Sequence, residues 1–224
     1  MITFKQFLLE EEDQPDFFKM LEHDCADFLR QSHRAGLIYR GIQETSLANH
    51  HDYAIHDAGR HGAIEMWEKL VKGQGGRSSR RPRDSSSSQH DAADAWFEQK
   101  FGVYARSKSL FASGNKHSLS DYGDTYIVLP KGHMSVIWSP KVDDMYGHFE
   151  TGHWGTLRQG LRLGSVSEEE FWHQIGMDLD DQDYREGDLP AGIKSGNELM
   201  IQCNSYYIIP VADEAAIKHG LKIE

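Results

Sequence analysis

Cysteine is scarce in this sequence: Cys25 and Cys203 are the only two among 224 residues. Two cysteines are too few for a disulfide-stapled scaffold or for a thiolate zinc site. We expect both to be reduced and buried, which makes the cytosol the default compartment.

Long apolar runs are also missing. No stretch approaches the roughly 18 consecutive apolar residues that a bilayer helix needs, so we expect no contact with a membrane. Residues 1–12 end in a run of glutamates where a secretory signal would need small residues. Secretion is therefore not expected.

Positive charge is in deficit, with 24 Lys and Arg against 35 Asp and Glu and a net charge of −11. Any contact with a polyphosphate must then be local. The exception is residues 73–89, a Gly-, Arg- and Ser-rich segment whose arginines fall at 77–83 without an apolar residue between them. We expect a flexible loop there, either a solvated linker or a basic arm that meets phosphates or an acidic partner.

Several sequence motifs that would identify a nucleotide-binding or metal-binding site are absent. The chain has no G-x-G-x-x-G, no G-x-x-x-x-G-K-[ST] and no H-E-x-x-H. Histidines at 50, 51, 56 and 61 lie in a polar stretch, but their spacing does not suit ligand pairs on one helix face. We expect a polar loop over 49–61 and no bound metal, and a metal-dependent hydrolase stays open as a third hypothesis.

Apolar periodicity predicts helices first and strands later. Helical spacing indicates helices over about 15–29, 63–71 and 92–101, and Ser167 with Glu170 forms a capping box ahead of another. Short β-rich runs between turn residues indicate strands at 37–41, 103–106, 125–129, 134–138, 199–201 and 206–209. Residues 178–188 are expected to form an acidic loop. This order favours an α+β fold in one domain over 13–224.

Three polar features stand at strand ends, where a core does not explain them. They are Arg40 in Leu-Ile-Tyr-Arg-Gly, the pair Ser107 and Ser109 in Ser-Lys-Ser-Leu-Phe, and Glu198 in Asn-Glu-Leu-Met-Ile. In this order they resemble the arginine, serine and glutamate signature of the mono-ADP-ribosyltransferases. The resemblance covers roughly residues 37–210 and implies a split antiparallel β-sandwich whose three motifs lie on successive strands of one NAD-binding cleft.

The resemblance implies NAD as a substrate, with no metal, and a role for each motif. Arg40, beside Gly41, would bind the pyrophosphate, because a guanidinium can bind it through two hydrogen bonds. Glu198 would stabilise the oxocarbenium-like ribose as the nicotinamide bond breaks. One of the two serine hydroxyls would orient the glutamate or the ribose. For each of these residues a structural role in the core or on the surface is the alternative.

The resemblance also implies contacts around the nicotinamide. Phe111 and Tyr122 are the candidates for stacking on its ring, and Arg106 is a candidate second phosphate contact or structural residue. The position two before the glutamate is Gly196, where arginine-modifying members carry an acid. The acceptor therefore stays open among a protein side chain, nucleic acid and water, which would make the enzyme an NAD glycohydrolase.

Residues 1–12 are similar to the capsid-targeting leaders of internal head proteins in large tailed phages, with Leu8-Leu9-Glu10 as the processing pattern. This second resemblance implies an effector that is packaged in a phage head and acts in the host cytoplasm, with a host protein favoured over nucleic acid as the acceptor. The alternative is a non-enzymatic virion or host-takeover protein that grips a partner with the basic arm 77–83.

Overall fold

The structure is a computed structural model that describes residues 15–32, 34–43, 53–58, 61–67, 87–150 and 153–223. The leader at 1–12 and the basic arm at 77–83 lie outside these residues, so the expectations for both stay untested.

The described part of the chain contains helices on both sides of the strand-rich region. They are α1 (Pro15–Asp24), α2 (Ala26–Ser32), α3 (Ser87–Phe101), α4 (Ala105–Lys108), α5 (Met145–Glu150), α6 (His153–Leu163), α7 (Glu168–Asp181), α8 (Leu189–Ser195) and α9 (Glu214–Gly220), with 3-10 turns at Lys116–Tyr122 and Val211–Asp213. The Ser167 hydroxyl accepts a hydrogen bond from the Glu170 backbone N–H and begins α7, as the capping box predicts.

Nine strands form one antiparallel sheet. They are β1 (Ile38–Ile42), β2 (Tyr53–Ala58), β3 (His61–Trp67), β4 (Leu110–Ser113), β5 (Asp124–Lys131), β6 (Ser135–Trp138), β7 (Arg185–Glu186), β8 (Glu198–Gln202) and β9 (Ser205–Pro210). Their order across the sheet is β2-β3-β9-β5-β1-β4-β8-β6-β7. The α+β class and the antiparallel strands are confirmed.

The sheet has two halves that meet at one residue pair. β1 and β5 share five register pairs, and β4 and β8 share four, whereas β1 and β4 share only Tyr39 with Ser113. Pairing between the described strands is therefore weakest at this junction, between β1 and β4.

The half that contains β4, β8 and β6 is covered on both faces. Leu199 and Ile201 of β8 belong to a core that includes residues of α1, α2, α8 and α9, while Met200 between them belongs to a second core under α3, α5, α6 and α7. Strand neighbours point to opposite faces. Burial on both faces explains why the sequence here is a continuous apolar run rather than an alternating one.

Five local predictions were wrong in whole or in part. Residues 63–67, predicted as part of a helix, belong to β3, which pairs with β2 and β9. Part of the polar stretch 49–61, predicted as a loop, is β2 and the start of β3. The predicted strand 103–106 is instead the approach to and start of α4, and α7 extends to Asp181 through the predicted acidic loop. Helix α3 begins at Ser87, so residues 87–89 are not part of the flexible loop.

No helix among the described residues is long and apolar enough to cross a membrane.

Candidate functional site

The strands that carry the three motifs are neighbours in the sheet. In the order β1-β4-β8, β1 contains Arg40, β8 begins at Glu198, and β4 between them begins directly after the serine pair, at the end away from Glu198. Tyr39 is in register with Ser113, and Ser113 with Glu198, so these three form a row across the strands. At a strand spacing of about 4.8 Å, the backbone of Arg40 lies about 10 Å from that of Glu198.

Glu198 begins β8 and is paired with Arg106. Nη1 of Arg106 donates to Oε1 of Glu198 over 2.8 Å, and the two side chains are only 10% and 17% exposed. The Glu198 backbone N–H donates to the carbonyl of Asp143 at 2.9 Å. A partly buried, charge-assisted bond of this length favours the ionised carboxylate in a fixed orientation.

The Arg106 side chain is held by aromatic rings. Its guanidinium carbon lies 4.5 Å from the centre of the Phe111 ring and 5.6 Å from that of Phe149. Register pairs place Phe111 opposite Met200 and on the same face of the sheet as Glu198. Phe111, predicted to stack on nicotinamide, thus packs against a guanidinium in this structure.

The backbone of α4 is held by Asp94 of α3. Its Oδ1 accepts hydrogen bonds from the backbone N–H groups of Arg106 at 2.8 Å and Ser107 at 3.1 Å. The carboxylate thereby accepts from two backbone donors at the start of a helix, where N–H groups lack partners four residues earlier in the helix. Asp94 is fully buried, so α4 has one well-defined position over the sheet.

Ser107 belongs to a buried polar cluster with Asp94 and His90. Its hydroxyl donates to Oδ2 of Asp94 and lies 3.1 Å from Nε2 of His90, and the same histidine nitrogen is 3.8 Å from Oδ2. A nucleophile relay needs the carboxylate on the other ring nitrogen. This cluster therefore resembles a structural network more than a catalytic triad.

The Ser109 hydroxyl has a different hydrogen-bond partner from that of Ser107. Its hydroxyl accepts a hydrogen bond of 2.5 Å from Nε2 of Gln202, and its backbone ends α4 just before β4. The prediction that both serines share one face of a strand was wrong, because Ser107 is in a helix. The orienting contact to Glu198 that was assigned to a serine hydroxyl is made here by Arg106.

Residues 143 and 144 connect the 3-10 turn beside Gly41 with the start of β8. They contact Tyr122 and Glu198. A Cβ on Gly41 would lie 2.6 Å from Cβ of Tyr122, so the glycine allows the 3-10 turn to approach β1. The Tyr122 hydroxyl donates to Oδ2 of Asp144 at 2.5 Å, and the preceding residue, Asp143, accepts from the Glu198 N–H. Tyr122 is thus linked to the Glu198 segment by two adjacent residues.

Arg40 faces a different set of side chains. Its Nη1 lies 3.5 Å from the hydroxyl of Tyr206 in β9, and it is in register with Tyr126 of β5. The side chain is partly exposed, as a ligand-binding arginine requires. The two arginines therefore differ: Arg106 is committed to Glu198, and Arg40 stands at a neighbouring, more open position.

Several charged side chains act on Tyr184, which lies within electrostatic reach of Glu198. Burial, and then the charge of Glu198, raise the pKa of the nearby Tyr184 well above its usual value, and Asp178 and Asp144 act in the same direction. Arg106 opposes them. The surroundings of Tyr184 are therefore rich in negative charge, which favours a cation over an anion.

No family model, curated protein or solved structure matches this chain.

Two features of the described residues bear on the rival hypotheses. Among them, no group of three or more His, Cys, Asp and Glu side chains is arranged to hold a metal ion. A groove of about 620 Å³ lies between α3 and α7, with Trp96, Trp172 and Met177 among its described lining residues. None of those residues is a candidate from the motifs, so the groove and the motif site are separate places.

Sequence reasoning missed His90 and Asp94, which hold α4. Both are spaced with the apolar residues of α3, because 90, 94, 97 and 101 recur at helical intervals. Two polar residues on an otherwise apolar helix stripe indicate a buried polar contact. That signal was present in the sequence, but it does not name the partner.

Proposed function

We propose that this protein is an NAD-dependent mono-ADP-ribosyltransferase with Glu198 as its catalytic carboxylate. The observation that carries the proposal is the adjacency of β1, β4 and β8, with Tyr39, Ser113 and Glu198 in register across them. Segments far apart in sequence that resemble one family's three motifs are neighbours in the sheet. The junction between the two sheet halves at this point also fits the split sandwich of that family.

Arg40 would bind the pyrophosphate of NAD. Its guanidinium is partly exposed, and Arg40 directly follows Tyr39, which is in register with Ser113 and through it with Glu198; its side chain leaves β1 on the face opposite to that of Tyr39. Gly41 next to it leaves room for Tyr122, which could contact the nicotinamide end. A chain of net charge −11 needs such a local cation to bind a dianionic ligand.

Glu198 would act on the other end of NAD, by stabilising positive charge. The bond between nicotinamide N1 and ribose C1′ breaks, its electron pair leaves with neutral nicotinamide, and cationic character develops on the ribose. A nucleophile then bonds to C1′ and releases its proton. Glu198 would supply negative charge next to that cation, and its contact with Arg106 would set its orientation before reaction.

The same negative charge favours a protein side chain over nucleic acid as the acceptor. A nucleic acid would bring a polyanion towards carboxylates at 144, 178 and 198, which repel it. A host protein is the acceptor that an injected effector would modify. Water as the acceptor would give an NAD glycohydrolase by the same bond cleavage.

The proposal is tested with NAD labelled in the adenine, incubated with the purified protein with and without cell extract. We expect nicotinamide release by the wild type and a fall of at least about 100-fold in Glu198→Gln, because the amide cannot supply the negative charge. Label on a macromolecule that protease removes and nuclease does not would identify a protein acceptor. Free labelled ADP-ribose alone would identify hydrolysis.

Glu169→Gln is the matched control. Glu169 is an exposed acid in the first turn of α7, and its loss removes the same charge from the molecule as a whole. Its activity should equal that of the wild type. Full activity in Glu198→Gln, or no nicotinamide release by the wild type, would contradict the proposal.

A further inference from the structure

Arg106 is fixed more firmly than a ligand-binding side chain needs to be. Its backbone N–H donates to Asp94, and its guanidinium contacts the rings of Phe111 and Phe149. Aromatic faces at 4.5 and 5.6 Å restrict the plane of the guanidinium. The direction of its Nη1–H group is therefore set by the fold.

That direction points at Glu198. The 2.8 Å contact runs from Nη1 to Oε1, so it restrains the position of that carboxylate oxygen. A glutamate side chain at the start of a strand otherwise has several rotamers. Holding it in one of them removes an entropic cost from the reaction that depends on it.

In this orientation one N–H donor of Arg106 makes no hydrogen bond to the described residues. Its Nε is buried and finds no hydrogen-bond partner in the part of the chain that the structure describes. A buried donor without a partner destabilises a fold, because it has lost its hydrogen bonds to water. Such a group in a folded protein needs a reason, and here the orientation of Glu198 supplies one.

We propose that Arg106 is a positioning residue for Glu198, anchored by Asp94 through the start of α4, and that it does not bind the phosphates of NAD. The inference rests on the proposed function, because it assigns how the catalytic carboxylate is oriented. It also replaces the phosphate contact that the sequence suggested for this arginine. Arg40 is then the arginine for the pyrophosphate.

The two arginines should separate in steady-state kinetics of nicotinamide release. Arg106→Lys keeps the charge but loses the planar guanidinium, so kcat should fall about tenfold or more while KM for NAD stays within about threefold. Arg106→Met should lower kcat further, again with little change in KM. Arg40→Lys should instead raise KM about tenfold, as loss of a phosphate clamp would.

The controls distinguish the two proposals from each other and from misfolding. Arg162→Lys, at an exposed position of α6, should leave kcat and KM unchanged. Thermal unfolding identifies a variant that does not fold. Arg106→Lys is the more conservative change, so the kinetic test can be made with it even where Arg106→Met does not fold. Raised KM with unchanged kcat in Arg106→Lys would overturn the positioning role while leaving the proposed function intact. A wild type that releases no nicotinamide would overturn both.

Discussion

At the scale of single residues, polar groups in this chain work through short networks rather than alone. Asp24 is an example outside the candidate site. Its Oδ2 accepts a hydrogen bond from the Tyr207 hydroxyl at 2.6 Å and lies 2.9 Å from Nζ of Lys131. The contacts connect α1 to β5 and β9, so one carboxylate helps to hold a helix on the sheet.

The protonation of Asp24 should make stability depend on acid pH. Burial tends to raise its pKa, but hydrogen bonds from Tyr207, His23 and Lys131 outweigh it and lower the pKa from 3.8 to about 2. A carboxyl group whose pKa is lower in the folded state than in the unfolded state stabilises the fold at pH values above its unfolded-state pKa. That stabilisation is lost as the pH falls through its folded-state pKa. We expect the free energy of unfolding to fall by about 1 kcal/mol between about pH 4 and pH 2, a value that allows for screening by solvent.

Urea denaturation at pH 7, 4 and 2.5 measures this contribution. Asp24→Asn should be less stable than the wild type at pH 7 and should approach it at pH 2.5, because only the wild type loses the charge. Glu22→Gln, at an exposed position of the same helix, should follow the wild-type curve. A constant difference between Asp24→Asn and the wild type at all three pH values would contradict the assignment.

The candidate residues were only partly predictable one by one. Glu198 and Arg40 stand out because a charged side chain next to an apolar strand is unusual, and their strands, β8 and β1, lie on either side of β4. The role of Arg106 was not predictable, because its partner is 92 positions away and the pairing depends on how α4 sits. Asp94, which sets that position, reads as an ordinary polar residue of a helix.

At the scale of elements, strands buried on both faces were predicted best. β5, β6, β8 and β9 are apolar runs bounded by turn residues, and neither property depends on the rest of the fold. Two of the failures have tertiary causes. Residues 63–67 belong to β3, whose pairing with β2 and β9 overrides their helical spacing. At α4, the hydrogen bonds that Asp94 accepts from two backbone N–H groups favour a helix over a strand.

The contact between β1 and the 3-10 turn depends on Gly41. Its backbone lies outside the left-handed region, so alanine would bring no backbone strain, but its Cβ would lie 2.6 Å from Cβ of Tyr122 and 2.7 Å from the Leu119 carbonyl. We expect Gly41→Ala to destabilise the protein by about 1–3 kcal/mol through this overlap. The turn should also move away from β1 and raise KM for NAD.

Gly147→Ala is the control for this prediction. Gly147 lies in α5, where an added Cβ meets nothing within 4 Å. Alanine has the higher helix propensity, so this variant should gain about 0.5–1 kcal/mol. Thermal denaturation of both variants measures the difference. Equal stability of Gly41→Ala and the wild type would mean that β1 and the turn adjust without loss.

At the scale of the whole molecule, the two cores share one set of strands. β8 contributes Leu199 to the core of α1, α2, α8 and α9 and Met200 to the core of α3, α5, α6 and α7. Both side chains are fully buried. A strand that is common to two cores cannot leave one without disrupting the other, so we expect the described fold to unfold as one cooperative unit.

Two alanine substitutions at adjacent positions test this cooperativity. Leu199→Ala and Met200→Ala remove side chains from opposite faces of one strand, and each should lower the free energy of unfolding by about 2–5 kcal/mol. Denaturation is followed by far-UV circular dichroism and by tryptophan fluorescence, which reports Trp138 in the first core and Trp154 in the second. Coincident single transitions in both variants are expected because β8 couples the cores. A second transition, shifted in only one variant, would mean that the cores unfold independently and that Glu198, at the start of β8, can lose its surroundings while half of the sheet persists.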